Sequence, residues 1–382
     1  MNKKLLAAAV AGALAVPSAA MAVEVFGTID TGIRSQSKVI VTGTQTGSLL
    51  TVTDGERTTN RWGFRGSEDL GGGLMANYWF EGQYGSDTGA MGSSPAQGAA
   101  VTLAGTAGGI LANQGIFQRK LVVGLSKGGM SFDLGRDYTV NFKTQGIYDP
   151  MSYTYTGITP AAGTNTAGVR SFNMVTAGFR FGTGGIRLDY ALGEVTDDTS
   201  NGSRYGLNGD FAIGPVTLGA AYSNAKQNLT TVGLGDVTTD TYNFGGAWVL
   251  GGFTFRLGAS ETDIKADSTG VEVKTPLLLA GVQYAFSPTL NGRVGYYDNK
   301  FKANGTEVGT RKVAIVALDY YLSKRTTLYV AFDRTSISGQ TASINGTTGV
   351  LTISGTADQG SVLGVQSADG ATGISVGLAH SF

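Results

Sequence analysis

The chain has 382 residues, with 28 Lys+Arg against 28 Asp+Glu, a single histidine and no cysteine. A formal charge of zero is the wrong balance for a nucleic-acid binder, and without cysteine neither a disulfide framework nor a thiolate metal site can hold the fold. The 60 glycines, 7 prolines and mean hydropathy of +0.03 leave a closed sheet or a packed core as the source of stability.

The N-terminus carries Lys3 and Lys4, the apolar run LLAAAVAGALAV, Pro17 and the small-residue site Ala20-Met21-Ala22. A run this short cannot span about 30 Å of hydrocarbon as a helix, and the A-x-A site marks residues 1–22 as a cleavable signal peptide. The mature chain, 23–382, then holds 26 Lys+Arg against 28 Asp+Glu and is read as one domain, because barrels run long as single units. No later stretch has the length and apolarity of a membrane helix.

From there the period is two. It predicts strands at 23–35, 58–69, 74–85, 117–126, 131–142, 170–181, 186–195, 204–213, 216–225, 240–250, 253–264, 273–286, 289–301, 311–322, 327–337 and 372–382, sixteen in all. Tight turns are expected at Leu70-Gly71-Gly72-Gly73, Lys127-Gly128-Gly129, Gly182-Thr183-Gly184-Gly185, Gly214-Pro215, Gly251-Gly252, Ser287-Pro288 and Ser323-Lys324-Arg325. The intervening connections are longer and polar, notably 39–57, 86–116, 143–169, 227–239 and 338–371. Alternating short and long connections belong to an up-and-down barrel with both termini on the short-turn, periplasmic side.

A soluble β-sandwich alternates too, so the aromatics matter more. Trp62 with Phe64, Tyr78 with Phe80, Tyr242 with Trp248, Tyr284 with Phe286, and Tyr320 fall on the apolar face near segment ends, as interfacial girdles do. Charged residues take the other parity: Asp30, Arg65, Glu81, Arg180, Arg187, Asp189, Asp210, Arg256, Arg293, Asp319 and Asp333. The last strand places Ile374, Val376, Leu378, His380 and the terminal Phe382 on one face. That ending resembles the sorting signal read by the outer-membrane barrel assembly machinery.

Two stretches resemble the general trimeric porins of Gram-negative bacteria, especially the Neisseria and betaproteobacterial branch. They are NRWGFRGSEDLGGGL, Asn60 to Leu74, and FQRKLVVGLSKGGMSFDLGRDYTVNFKTQGIYDP, Phe117 to Pro150. The resemblance implies a third loop, here about 143–169, folded into the lumen, with acids opposite a ladder of wall arginines. By position those arginines are Arg61, Arg119 and Arg170, and the loop acid is Asp149. Arg61 and Arg170 also have inward parity, whereas Arg119 shares the parity of Leu121, Val123 and Leu125.

The chain departs from that family's pattern twice. Pro150 is followed by MSYTYTGITPAAG rather than an acidic Pro-Glu-Phe-Gly-Gly stretch, and Thr28 stands at the basic position of the first strand. Three arginines against one loop acid point to a weak anion preference.

Other chemistry is thin. The only histidine, His380, lies on the lipid-facing parity and cannot serve as general base at the barrel mouth, so no enzyme is expected. Ser35-Gln36-Ser37-Lys38 matches S-x-x-K without its companion motifs. Asp197-Asp198 and Asp236 to Asp240 read as solvated loop acids, and no metal or cofactor is expected.

The expectation is therefore an all-β transmembrane antiparallel barrel of about sixteen strands, with its third loop in the lumen, in the outer membrane of a Gram-negative bacterium. It would pass small hydrophilic solutes and ions by passive diffusion, as a homotrimer on the family's pattern. The alternative is a barrel used mainly as a surface adhesin through its long loops. Tyr297, Tyr321 and Tyr329 are inward by parity but form no aromatic ladder of the kind a sugar channel would use.

Overall fold

A computed structural model of the chain describes residues 23–42, 45–91, 116–155, 169–228, 235–339, 341–344, 351–354 and 370–382. The expected signal peptide, 1–22, lies outside the described residues.

The strands in chain order are β1 (Glu24–Thr42), β2 (Gln45–Asp54), β3 (Arg61–Gly71), β4 (Leu74–Gln83), β5 (Lys120–Lys127) and β6 (Met130–Tyr138). A helix, α1 (Val140–Tyr148), precedes β7 (Arg170–Phe181), β8 (Gly184–Ala191), β9 (Arg204–Ile213), β10 (Val216–Asn228), β11 (Asp236–Leu250) and β12 (Phe253–Ala266). Then come β13 (Val271–Ser287), β14 (Leu290–Ala303), β15 (Thr306–Tyr321), β16 (Thr326–Gly339), the short pair β17 (Thr341–Ile344) and β18 (Leu351–Ser354), and β19 (Gly370–Ser381).

Each wall strand pairs antiparallel with its neighbours, and β19 closes the sheet on β1 from Thr28↔Ser381 to Gln36↔Gly373. β2 pairs with the far half of β1 and β3 with its near half, so the two share one wall position and the barrel has sixteen. The short turns use left-handed glycines such as Gly128, Gly182, Gly214 and Gly251, which a residue with a Cβ would adopt only under strain. Outward side chains are apolar and exposed, as Leu188, Phe211, Leu257, Val316 and Phe332 illustrate, and they form the lipid-facing band.

Several boundaries differ from expectation. Residues 39–57 are mostly wall, because Leu50 and Val52 alternate outward with Thr51 and Thr53, and threonine suits a strand as well as a loop. Among the described residues there, 55–60 leaves the sheet, and it turns inward. The strand expected over 131–142 stops at Tyr138, where α1 takes over. β10 and β11 shorten the loop expected over 227–239. The connections at 267–270 and 304–305 are themselves tight, because β12 to β15 extend past their expected ends.

The lumen is not purely polar. Inward-facing Leu277, Leu279, Tyr297, Val313, Ile315 and Tyr329, on β13 to β16, pack with Tyr148, Met151 and Tyr155 of the inserted chain into one buried cluster. That cluster is a hydrophobic core inside a barrel, and it fixes where the inserted chain lies.

Candidate functional site

The chain enters the lumen at Thr139. Its hydroxyl accepts the Phe142 N–H at 3.3 Å, and the Asp189 carboxylate on β8 accepts the Val140 N–H at 2.8 Å, so two of the helix's orphan amides are satisfied. The wall makes room for the segment with a glycine on each of six consecutive strands, β9 to β14. A Cβ at Gly206 would sit 2.6 Å from Val140 Cγ2, one at Gly219 2.7 Å from Ile147 Cδ1, and one at Gly245 or Gly258 would overlap the Tyr148 ring. At Gly281 it would lie 2.5 Å from Pro150 Cβ, and at Gly295 2.9 Å from Met151 Sδ. The inserted chain therefore lies in a glycine trough.

Polar anchors extend this seat. Fully buried Asp149 accepts the Tyr297 hydroxyl at 2.8 Å and the Tyr153 N–H at 2.7 Å, and burial pushes its carboxyl up to about 6. Asp319 on β15 accepts the Tyr155 hydroxyl at 2.8 Å and Arg57 at 2.8 and 3.2 Å, and it pairs with Arg293 at 3.3 Å. Arg57 comes from the inward segment 55–60, and its carbonyl accepts the Tyr155 N–H at 2.6 Å.

Beside it, Glu56 and Asp333 both pair with Arg34, at 3.1 and 2.7 Å. Burial holds the Glu56 carboxyl above the usual carboxylate range. Asp30 accepts the Thr58 N–H at 2.6 Å and the Tyr329 hydroxyl at 2.7 Å. Residues 140–155 and 55–60 thus form a collar on the inner wall from β8 round to β1.

Facing the collar, β3 to β7 carry the arginines. The Tyr138 hydroxyl accepts from Arg119 at 2.7 Å and from Arg170 at 3.1 Å, and Arg170 also lies 4.5 Å over the Tyr138 ring. Arg119 pairs with Glu81 at 2.5 Å and donates to Gln83 at 3.1 Å. Among the described residues Arg61 makes one polar contact, to Thr58 at 3.4 Å, whereas Arg136, paired in register with lipid-facing Leu121, donates to the Gln118 carbonyl at 2.6 Å. Of these four guanidinium groups only Arg119 has a carboxylate partner among the described residues. Tyr138 stacks on Phe142 at 5.0 Å and Phe142 on Tyr153 at 4.2 Å, joining the collar to this sector.

The structure resolves the parity of Arg119 and corrects the expectation for Asp149. Arg119 precedes the first residue of β5, so strand parity does not govern it, and its side chain turns inward while Leu121, Val123 and Leu125 face lipid. Asp149 does not face the trio; its carboxylate is turned into the wall at Tyr297.

The register puts Glu81, Asp189, Arg256, Arg293, Asp319 and Asp333 on the inner face. Arg180, paired with Asp210 at 2.6 Å, and Arg187 share that face. Arg65 pairs with Glu24 at 2.5 Å near the short-turn end. Phe382 exchanges backbone hydrogen bonds with Gly27, and its ring covers that glycine.

Sequence reasoning missed Arg34, Glu56, Arg57, Arg136, Tyr138, Lys143 and Arg204. Arg34 shares the parity of Asp30 and was open to the same argument. Glu56 and Arg57 were hidden by reading 39–57 as a loop.

Among known proteins, the sequence profile of the Gram-negative porins matches residues 6–340. Outer membrane porin protein 32 of Delftia acidovorans is 29% identical, with 100% of both chains covered. An outer membrane porin protein of Bordetella pertussis is 27% identical over 65% of this chain and 66% of its own. Among solved structures, the anion-selective porin from Comamonas acidovorans superposes with a TM-score of 0.72 at 24% identity, over 95% of this chain and 100% of that one. OmpT of Vibrio cholerae in its trimer form gives 0.65 at 14% identity, over 95% and 100%. The match over most of the chain, on a closed sixteen-position barrel, places the protein in the Gram-negative porin family.

Proposed function

We propose that this outer-membrane diffusion channel prefers anions, and that Arg61, Arg119 and Arg170 are the groups a passing solute meets opposite the collar. One observation carries the reading: Arg119 and Arg170 meet on the Tyr138 hydroxyl beside Arg61, with a single ion pair among the three in the described residues. The inserted chain offers no counterweight, since its one acid, Asp149, is spent on the wall and the next acid in the sequence is Asp189.

Guanidinium stays charged at any working pH. In water an unpaired charge about 7 Å from an ion is worth about 0.6 kcal/mol, a factor of about 3 in local anion concentration. That is enough to bias passage and too little to trap a solute.

Removal of residues 1–22 as a signal peptide, recognition of the Phe382 end by the assembly machinery, and a homotrimer belong to the same reading. The trimer form of the OmpT neighbour supports the last. Family membership carries the channel reading, and no observation favours the adhesin alternative.

The test is the zero-current potential of the purified protein in a planar bilayer under a KCl gradient. It should have the sign of a chloride-preferring channel, and Arg170→Gln should cut the chloride-to-potassium permeability ratio about sevenfold, since the charge favours the anion and disfavours the cation by about threefold each. Potassium preference in the unmodified channel would reverse the reading.

A further inference from the structure

Below the arginine trio, towards the short-turn end, the inner wall holds a cavity of about 410 Å³. Arg61 and Tyr138 line it above, Trp79 and Phe26 below, with Glu81 and Arg65 at its sides. Most of its charge is already committed. Arg65 is held by both carboxylate oxygens of Glu24, at 2.5 and 2.7 Å, and lies over Phe26 and Trp79 at 5.1 and 4.8 Å. Glu81 is paired with Arg119 and also accepts the Trp79 indole N–H at 3.2 Å. Arg61 makes no ion pair among the described residues, though the Glu81 charge acts on it, and it shares the cavity with three half-buried rings.

We propose that this cavity is a resting site for small aromatic carboxylates, with the carboxylate on Arg61 and the ring against Phe26, Trp79 and Tyr138. An inorganic anion gains only the guanidinium there. A carboxylate on a flat apolar body also removes ring surface from water and meets aromatic side chains, whose edges and faces attract another ring. The Thr28 and Ser381 hydroxyls, 3.2 Å apart, also line the cavity and keep part of its wall polar. The site would make the channel discriminate among anions of equal charge.

The inference rests on the anion preference proposed above, and the experiment separates the two. Chloride current through single channels is recorded with benzoate or acetate added to both sides. Benzoate should reduce the current at about one-tenth of the concentration acetate needs, the gain expected from one ring contact. Trp79→Leu should close most of that gap, and if that variant does not assemble, Phe26→Leu serves instead. Arg61→Gln should weaken the effect of both carboxylates.

Equal potency of benzoate and acetate in a channel whose KCl potential is anionic would overturn this inference alone. So would a gap that survives the ring variants. A cationic KCl potential would overturn the anion preference itself.

Discussion

Adding one methyl group at Gly258 tests whether the trough seats the collar. A Cβ there overlaps the Tyr148 ring, and Gly245, directly opposite on β11, would do the same. The ring must retreat by more than about 1 Å to restore ordinary carbon–carbon separation. Tyr148 is fully buried, so it can only move off the wall into the lumen. Overpacking of this kind costs about 1–3 kcal/mol. Gly258→Ala should lower the melting temperature in detergent by a few degrees and reduce single-channel conductance, because the collar is pushed into the passage.

Two companions make this interpretable. Gly209→Ala adds a methyl on the outer face of β9, where the nearest atom is the Gly185 carbonyl oxygen at 3.9 Å, and should change stability by less than about 0.5 kcal/mol. Tyr148→Ala removes the ring and should cost about 3–5 kcal/mol, after which Gly258→Ala should be neutral or favourable, a coupling of at least about 1 kcal/mol. If Gly258→Ala behaves like Gly209→Ala, or keeps its cost without Tyr148, the trough is not a seat.

Further predictions concern the collar's polar anchors. Because burial raises the folded Asp149 carboxyl from 3.8 to about 6, the folded state binds that proton more tightly than the unfolded chain does. Its destabilising effect is therefore complete above pH 6 and fades as pH falls towards 4, an effect of up to about 3 kcal/mol. Asp149→Asn should melt higher than the unmodified protein at pH 7.5, and the difference should vanish near pH 4; a pH-independent difference would contradict the assignment. Asp319→Asn leaves Arg57 and Arg293 facing each other without a carboxylate. It should cost about 3–5 kcal/mol and make the open current noisier, as read by thermal melting and bilayer recording.

The wall was readable from sequence because a period of two with turn glycines admits few alternatives, and segments such as Ile186, Leu188 and Tyr190 state it without ambiguity. The collar's seat was not. A single glycine inside a strand reads as a mild weakness, and only the register reveals that Gly219, Gly245 and Gly258 form one row. The inward apolar cluster did leave a trace: Leu277, Leu278 and Leu279 are consecutive, so β13 is apolar on both faces, the mark of a strand buried on both sides. Arg119 defeated parity because it sits where the strand begins. Asp149 was rightly placed in the inserted chain, but sequence carries no sign of which way a carboxylate on a helix end will turn.

The lumen's carboxylates and guanidinium groups are divided by task, and this division explains the anion preference more fully than a count of charges. Asp30, Glu56, Asp149, Asp319 and Asp333 are all almost wholly buried, and each is bonded to a group that fixes the collar or the wall behind it. A carboxylate removed from water in this way is tolerated only because its partners replace the lost solvation. Arg34, Arg57 and Arg293 offset the charge of Glu56, Asp333 and Asp319, while Asp30 and Asp149 are turned onto tyrosine hydroxyls and backbone amides of the wall and collar. Arg61 and Arg170 instead rest on neutral oxygens and a ring face, which orient a guanidinium without neutralising it. A chain with near-equal numbers of acidic and basic residues can therefore present a positive constriction, because its acids have been used as fasteners and these two arginines have not.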